Sequence, residues 1–229
     1  MRPMPQVNTM NLKHSKAVLL GTSALVCLAL AAPVVADDFV ITGSDNSTNG
    51  TGTTNGGTAA AIAADAINGS DTVSLGINLT TTGAETDGIF TKSGGNEVHL
   101  VSPGSISTSS NYSSGIYNSG SNNLVTASGN ILTTGEWATG IKNIGDSNTT
   151  TVSGSITTEE DNAYGIFNDG AYNTTTVSGS ITTAGFFANG IRNDGNYNET
   201  TISGSIKTAG DIADGIAILG GNNTTTVSG

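Results

Sequence analysis

The chain has 229 residues, of which 32 are glycine, and only 11% of its residues are charged. Because ordinary soluble domains contain about 25% charged residues, the polarity of this chain must come from uncharged side chains, mainly Thr, Ser, Asn and Gly. Such a composition disfavours a conventional globular enzyme. The formal net charge of -11 at pH 7 excludes nucleic acid as a partner, since nucleic-acid binding depends on Lys and Arg to neutralise phosphates.

Residues 1–36 have the layout of a secretory signal peptide. Basic residues, among them Arg2 and Lys16, precede an apolar run, and small residues lead up to Ala36. The apolar run is shorter than the 18 or more residues that a membrane-spanning helix needs. We therefore expect cleavage after Ala36 and export of the remainder. The single cysteine, Cys27, lies within the signal, so the exported protein has no disulfide bond.

Residues 37–70 are interpreted as an N-terminal cap together with a flexible segment rich in Gly, Asn and Thr. Residues 43–57 contain no aliphatic side chain and predict a loop. Residues 58–67 are rich in alanine, with Ile62 and Ile67 on one side of a helical pattern, and an Asn-Gly pair follows. This pattern predicts a short helix that covers the open end of a repeat structure.

Residues 71–229 contain an internal repeat with two landmarks. A Gly-Ile pair recurs after 27 residues and then every 25 residues, beginning at Gly88, Gly115, Gly140, Gly165, Gly190 and Gly215. An aliphatic residue precedes each of these glycines by nine positions, at Leu79, Ile106, Ile131, Ile156, Ile181 and Ile206. Since the two series keep the same spacing, chance is excluded as an explanation, and the exact spacing disfavours low-complexity disorder. The sequence stops at Gly229 in the middle of this motif, so we expect the chain to be truncated at its C-terminus.

Each repeat predicts short strands and no helix. Thr150, Val152, Ile156 and Thr158 alternate with polar residues, which predicts a strand with one buried face, and Gly154 permits a bend in its middle. A unit of about 25 residues has too few large side chains to form its own core, because ordering it costs about 1–2 kcal/mol per residue. Stacking of units supplies the missing core, because neighbouring units share apolar side chains and strand hydrogen bonds. The predicted fold is therefore all-β, a right-handed parallel β-helix with coils of about 25 residues and a short N-terminal helical cap.

The repeat sequences also resemble a known family. Asp-Thr-Val-Ser-Leu at residues 71–75, followed by Gly-Ile-x-Asn-x-Gly and Thr-Val-Ser-Gly-Ser-Ile repeats, is similar to the passenger regions of bacterial autotransporters. The resemblance implies a non-enzymatic adhesin or structural stalk that is secreted or exposed at the outer membrane and cell surface of a Gram-negative bacterium. It also implies a C-terminal outer-membrane barrel in the same full-length protein.

Few residues carry chemistry that would suit an active site. His99 is the only histidine after residue 36 and is expected in a loop, while Glu159, Glu160 and Asp161 predict a solvated bend. No cysteine remains after cleavage, and the spacing typical of calcium-binding solenoid repeats is absent. We therefore assign no catalytic residue, no cofactor and no metal.

One outward column of the repeat is the candidate binding surface. The residue after each repeat isoleucine should point outward, which places Tyr117, Lys142, Phe167 and Arg192 in one row. Aromatic and arginine side chains are enriched at contact surfaces, so the row is a speculative site for a host-cell surface or a glycan. The alternative is that the row packs against itself through cation–π contacts.

Two other functions stay open for a β-helix of this composition. A polysaccharide-binding or polysaccharide-degrading protein would need clustered carboxylates, usually with a basic partner, in a groove. An ice-binding solenoid would need regular outward threonines, which Thr149, Thr174 and Thr224 provide, although Glu199 and Leu124 interrupt their row.

Overall fold

The computed structural model describes residues 17–20, 39–42, 52–54 and 60–64, and residues 72–228 except 77, 84 and 93. Within these residues the chain forms 23 strands, arranged in three sheets, and no helix. All strand pairs are parallel, and each strand pairs with the equivalent strand of the neighbouring coil, as in the pairs of Ile141 with Ile116 and Ile166. The fold is a parallel β-solenoid of about six coils, as the repeat predicts.

Each full coil contributes one strand to each sheet. Sheet 1 contains β1 (Ala17–Leu20), β2 (Phe39–Thr42), β4 (Ala60–Ala64), β7 (Asp87–Thr91), β10 (Ile116–Asn118), β13 (Ile141–Ile144), β16 (Ile166–Asp169), β19 (Ile191–Asn193) and β22 (Ile216–Ile218). Sheet 2 contains β5 (Thr72–Leu75), β8 (Glu97–Leu100), β11 (Leu124–Ala127), β14 (Thr149–Val152), β17 (Thr174–Val177), β20 (Glu199–Ile202) and β23 (Thr224–Val227). Sheet 3 contains β3 (Gly52–Thr54), β6 (Asn78–Thr81), β9 (Ser105–Thr108), β12 (Asn130–Thr133), β15 (Ser155–Thr158), β18 (Ser180–Thr183) and β21 (Ser205–Thr208).

The apolar core consists of stacked aliphatic residues from all three sheets. The fully buried isoleucines of sheets 1 and 3 are Ile89, Ile116, Ile141, Ile166, Ile191, Ile106, Ile131, Ile156 and Ile181, and sheet 2 adds Val73, Val98, Val125, Val152 and Val177. The predicted bend is confirmed, because β14 ends at Val152 in sheet 2 and β15 begins at Ser155 in sheet 3. The long strand read from the sequence is therefore two short strands that meet at a corner.

A ladder of asparagines runs through the interior behind sheet 1. Asn143 Nδ2 donates to Asn168 Oδ1 at 2.7 Å, and Asn168 Nδ2 donates to Asn193 Oδ1 at the same distance. The second hydrogen of Asn168 Nδ2 reaches Thr175 Oγ1 at 3.1 Å. Because buried amides are costly when unpaired, the ladder keeps these side chains inside only while the coils stay in register.

A second row of asparagines fixes the corner between sheets 1 and 2. Asn148 Oδ1 accepts a hydrogen bond from Asn123 N at 2.9 Å, and Asn148 Nδ2 donates to Gly145 O at 3.0 Å. Within the described residues, the Nδ2 atoms of Asn173 and Asn198 are buried without a hydrogen-bond partner. The row therefore ties each corner to the next coil and holds two of its own amide groups unpaired.

The glycine of each Gly-Ile pair is required by close packing between coils. A Cβ atom added to Gly165 would lie only 2.3 Å from Ile181 Cγ2 and 2.5 Å from Gly190 O. Any larger residue would have to push sheet 1 away from sheet 3 or from the next coil. This explains why the glycine recurs with the isoleucine.

The N-terminal predictions need one correction. Where a helix was expected over residues 58–67, the structure places strand β4 at Ala60–Ala64, with Ile62 paired to Ile89. Hydrogen bonds to β7 override the helix propensity of alanine, because the segment continues the sheet 1 ladder. The rest of the expected cap lies outside the described residues. Most of residues 1–36 and 43–57 also lie outside the described residues. The exceptions are β1, which pairs with β2, and β3, which pairs with β6.

Candidate functional site

The four outward residues selected from the sequence lie in one row across sheet 1. Tyr117 pairs with Lys142, Lys142 with Phe167, and Phe167 with Arg192. All four are half-buried on the outer face. Because neighbouring strands lie about 4.8 Å apart, this outward row is a strip roughly 15 Å long. Phe90 extends the row by one more coil.

Most neighbouring members of the outward row contact one another. Lys142 Nζ lies 4.8 Å from the centroid of the Tyr117 ring, and the Phe90 and Tyr117 rings are 5.2 Å apart at an angle of 51°. Arg192 Cζ lies 5.6 Å from the centroid of the Phe167 ring. Each cation–π contact at an exposed site contributes about 0.5–1 kcal/mol. These contacts order the side chains of the row before any ligand arrives.

Arg192 is held by partners within the protein. Its Nε and Nη2 atoms donate to the two carboxylate oxygens of Asp194 at 2.7 and 2.8 Å, and its Nη1 atom donates to Tyr164 Oη at 2.6 Å. The hydrogen bond to Asp194 is the main cause of the raised pKa of Arg192, with desolvation opposing it and Tyr164 adding to it. A ligand at this end of the row meets an ion pair and not a free cation.

A cavity of about 410 Å³ lies beside the other end of the outward row. This Asp87 cavity is lined by Glu85, Asp87, Phe90, Tyr112, Ser114, Tyr117 and Lys142. The lining residues come from three consecutive coils, since they belong to β7, β10 and β13 and to the corners that precede β7 and β10. The cavity therefore exists only where the coils are stacked in register.

Asp87 is the buried carboxyl group of this cavity. Its side chain is 6% exposed, and its Oδ1 atom accepts a hydrogen bond from Ser114 N at 2.6 Å. Burial raises the pKa of Asp87 to about 7, and the Ser114 hydrogen bond and the charge of Lys142 oppose this rise. Burial, with the nearby charges of Asp87 and Asp169, also raises the pKa of Tyr117. Asp87 therefore changes its charge near neutral pH.

Asp87 is not among the residues selected from the sequence, although the repeat contains a signal for it. The position two residues before each repeat isoleucine is occupied by Asp87, Ser114, Thr139, Tyr164, Asn189 and Asp214. In most of the described coils the residue at this position is buried next to the start of the sheet 1 strand. Asp87 places a carboxylate where the next four coils have an uncharged residue, and this distinguishes its coil from theirs. Only the arrangement of three coils reveals the cavity around it.

Exposed aromatic residues mark the two corners that flank sheet 1. Tyr112, Trp137 and Phe187 at one corner, and Tyr172 and Tyr197 at the other, have φ angles between 56° and 61°. Residues other than glycine occupy this left-handed region at a cost of about 1–3 kcal/mol. The Tyr112 and Trp137 rings stack at 6.4 Å and 8°, and the two rings at the second corner stack at 5.1 Å and 5°. Such strained, exposed aromatic residues are candidates for a contact surface.

The remaining candidates for site chemistry do not assemble into a site. His99 lies on strand β8 and not in a loop, because the β8 ladder pairs it with Thr126, and its Nε2 atom is 3.4 Å from Glu97 Oε2. Residues 159–161 form an exposed bend, as predicted. Among the described residues, no group of three or more His, Cys, Asp and Glu side chains is placed to hold a metal ion.

No helix among the described residues is long and apolar enough to cross a membrane. Comparisons with protein-family models, with curated proteins and with solved structures find no match for this chain. The solenoid architecture is thus established by the structure, and the autotransporter family stays a resemblance of the repeat sequences.

Proposed function

We propose that this chain is a non-enzymatic β-solenoid, secreted or exposed on the surface of a Gram-negative bacterium, that acts as an adhesin or structural stalk of an autotransporter. Its partners are a host-cell or glycan surface and a C-terminal outer-membrane barrel of the same full-length protein. The observation that carries the proposal is the outward row of Tyr117, Lys142, Phe167 and Arg192, which lies in register on a continuous stack of coils.

Physical arguments support a contact role for this row. Aromatic and arginine side chains dominate the energetics of many interfaces because they bury large areas with few rotatable bonds. A parallel stack holds them at fixed spacing, so little ordering entropy is lost when a ligand binds. The signal-like sequence of residues 1–36 and the absence of cysteine after it support export.

Replacement of all four residues of the outward row by serine tests the proposal. We expect the displayed variant to lose most of its binding to cells or to immobilised glycans, because the apolar faces and cations that contact them are gone. Binding is measured by flow cytometry, and folding of the displayed chain by circular dichroism of the released protein.

The chain offers a matched control on sheet 3. Leu132, Thr157, Thr182 and Lys207 form an equivalent outward row over four consecutive coils. Their replacement by serine should leave binding unchanged. Unchanged binding after replacement of the sheet 1 row would refute adhesion through that row and would leave the stalk function.

Ice binding is the second candidate function, because sheet 2 carries an uninterrupted row of outward threonines. Thr126, Thr151, Thr176, Thr201 and Thr226 pair in register across five strands. The neighbouring row through Thr149 and Thr174 is interrupted by Leu124 and Glu199. Regular hydroxyl and methyl groups on a flat sheet suit an ordered water surface. Thermal hysteresis of the chain distinguishes this function from adhesion.

A further inference from the structure

The Asp87 cavity has the size and composition of a small-ligand site. Ligand pockets in proteins have volumes of about 300–1,000 Å³ and combine apolar walls with a few placed polar groups. This cavity has a volume of about 410 Å³, with aromatic rings from Phe90, Tyr112 and Tyr117 and polar groups from Asp87 and Lys142. It shares Tyr117 and Lys142 with the outward row, so the cavity and the row form one continuous surface.

The aromatic residues of the cavity are arranged to receive the flat face of a ring. Phe90 and Tyr117 are tilted at 51° and form one wall. Tyr112 forms the rim, where it is 58% exposed and is backed by the stacked ring of Trp137. Tyr112 has a φ angle of 61°, and the equivalent residues of the other coils have φ angles of 53° to 60°, so the backbone of the corner holds the ring at the rim. The geometry favours a ligand with an apolar face.

The charged groups of the cavity disfavour an ion of either sign. Asp87 faces Glu85 on its own coil, Lys142 from β13, and the hydroxyl-bearing rings of Tyr112 and Tyr117 from the intervening coil. An anion would meet the two carboxylates, and a cation would compete with Lys142, which already lies over the Tyr117 ring. An uncharged ligand with hydroxyl groups can donate to Asp87 and meets no such repulsion.

We propose that the Asp87 cavity binds one ring of a neutral oligosaccharide, with the C–H face of the sugar on Tyr112 and a sugar hydroxyl donating to Asp87. This proposal rests on the proposed adhesive function and names the ligand class of the cavity at one end of the outward row. Since burial removes the Asp87 carboxylate from water, a sugar hydroxyl that donates to it stabilises its charged form. Sugar binding is therefore linked to the ionisation of Asp87.

The linkage gives the binding a pH dependence with a definite sign. The pKa of Asp87 is about 7, so the charged form that accepts sugar hydroxyls is scarce at pH 5.5 and predominates at pH 8. If only this form binds, the affinity rises by up to about thirtyfold over that interval. Asp87→Asn should bind more weakly at pH 8 and lose the pH dependence. Asn is compatible with this position, because Asn189 holds the equivalent place and accepts from Asp214 N at 2.7 Å.

The experiment measures binding of oligosaccharides to the purified full chain by isothermal titration calorimetry at pH 5.5, 7 and 8. The probes are four neutral tetrasaccharides (cellotetraose, maltotetraose, mannotetraose and tetra-N-acetylchitotetraose), with chitosan tetramer as the cation at pH 5.5, where its amines are protonated, and tetragalacturonate as the anion at all three pH values. We expect at least one neutral probe to bind, more tightly than either charged probe, and to remain uncleaved.

Two tyrosines provide a matched pair of variants. Tyr112 and Tyr172 are both 58% exposed, have φ angles of 61° and 60°, and occupy corners where asparagine also occurs, at Asn162 and Asn122. Tyr112→Asn should lower the affinity for the neutral probe at least tenfold, whereas Tyr172→Asn should change it less than twofold.

The proposal is overturned if no neutral probe binds, if a charged probe binds more tightly, if a probe is cleaved, or if the two tyrosine variants have equal effects. These experiments distinguish the absence of sugar binding in the cavity from the absence of adhesion. Loss of cell binding in the four-residue variant without sugar binding in solution refutes the cavity alone. Sugar binding in solution without adhesion of the displayed protein refutes the proposed function.

Discussion

Single polar residues inside the solenoid determine much of its stability. Most coils bury two asparagines and several threonines that other folds would leave at the surface. The Asn143 and Asn168 amides pair with their copies one coil away, and each also donates to a threonine of its own coil. Asp87 departs from this scheme because it brings a carboxylate to a buried position with one backbone hydrogen bond. Its burial therefore destabilises the folded chain whenever the group is charged.

Asp87 should make the free energy of unfolding fall as the pH rises from about 4 to about 7. Its pKa is 3.8 in the unfolded chain and about 7 in the folded protein, so the folded state binds more protons in this interval and stability decreases with pH. The shift corresponds to a loss of up to about 4 kcal/mol. Asp87→Asn removes the ionisable group, so the variant should be more stable than the parent chain at pH 8. Urea unfolding at pH 4.5 and pH 8 measures the difference.

Asp161 provides the control for this prediction. Its Oδ1 atom also accepts a hydrogen bond from the next coil, from Phe186 N at 2.8 Å, but its side chain is exposed. Asp161→Asn should therefore give no comparable stabilisation at pH 8. Identical pH dependence of the parent chain and the Asp87→Asn variant would contradict the assignment of a raised pKa to Asp87.

At the scale of the strand, the spacing between sheets 1 and 3 is set by the glycine of each Gly-Ile pair, at the start of the sheet 1 strands of the repeat. Gly165→Ala should destabilise the protein by about 1–3 kcal/mol, as overpacking of a filled interior does. The added methyl would press on Ile181 and on the Gly190 carbonyl oxygen. Chemical denaturation of the variant and the parent chain gives the difference in the free energy of unfolding.

Gly215 is the matched control, because it holds the same place in the repeat with free space around it. The nearest atom to its added Cβ would be Ile206 Cγ2 at 3.9 Å, which is ordinary contact. Gly215→Ala should be neutral or slightly stabilising in this chain. An equal loss for both glycines would mean that backbone conformation, and not crowding, selects the residue.

The strands of the repeat could be predicted from the sequence because two independent signals coincide there. Alternation around Thr150 and Val152 gave the buried face, and the 25-residue period gave the partner of every strand. Ile62 precedes Ile89 by 27 residues, as Ile89 precedes Ile116, but its segment lacks the Gly-Ile pair and is rich in alanine, so local propensity favoured a helix. Its pairing with β7 depends on contacts distant in sequence, which local patterns do not encode.

The candidate site could be predicted only in part, for the same reason. A row such as Tyr117 to Arg192 follows from the period alone, since equivalent positions must stack. The Asp87 cavity depends on how side chains of different size from three coils fill one corner. The repeat pattern describes what the coils share, so it does not show a cavity that depends on the particular side chains of these three coils.

At the scale of the whole molecule, the coils form a one-dimensional array in which each contacts its neighbours. Deletion of residues 149–173, which is one complete coil, should therefore preserve the fold and reduce the melting temperature only modestly. Deletion of residues 149–160 removes fewer residues but takes β14 and β15 from one coil. It should destabilise the protein more, because the ladders of sheets 2 and 3 are interrupted.

Circular dichroism during heating compares the two deletions with the parent chain. The first should keep the β-sheet spectrum and a cooperative transition, and the second should have a lower or broader transition. A result in which the longer deletion is the more damaging would show that the coils are not interchangeable units.

The coil-by-coil pairing also determines how the protein responds to force. Except at the two ends of each sheet, every strand is held on each side by the equivalent strand of one neighbouring coil, so a load that pulls on the ends of the stack detaches coils one after another. Each detached coil contributes about 85 Å of extended chain in place of about 4.8 Å of stacked height. The same molecule is therefore stiff under light tension and lengthens in equal steps under heavy tension. A tether with this property absorbs a pull by unravelling before its attachment has to break.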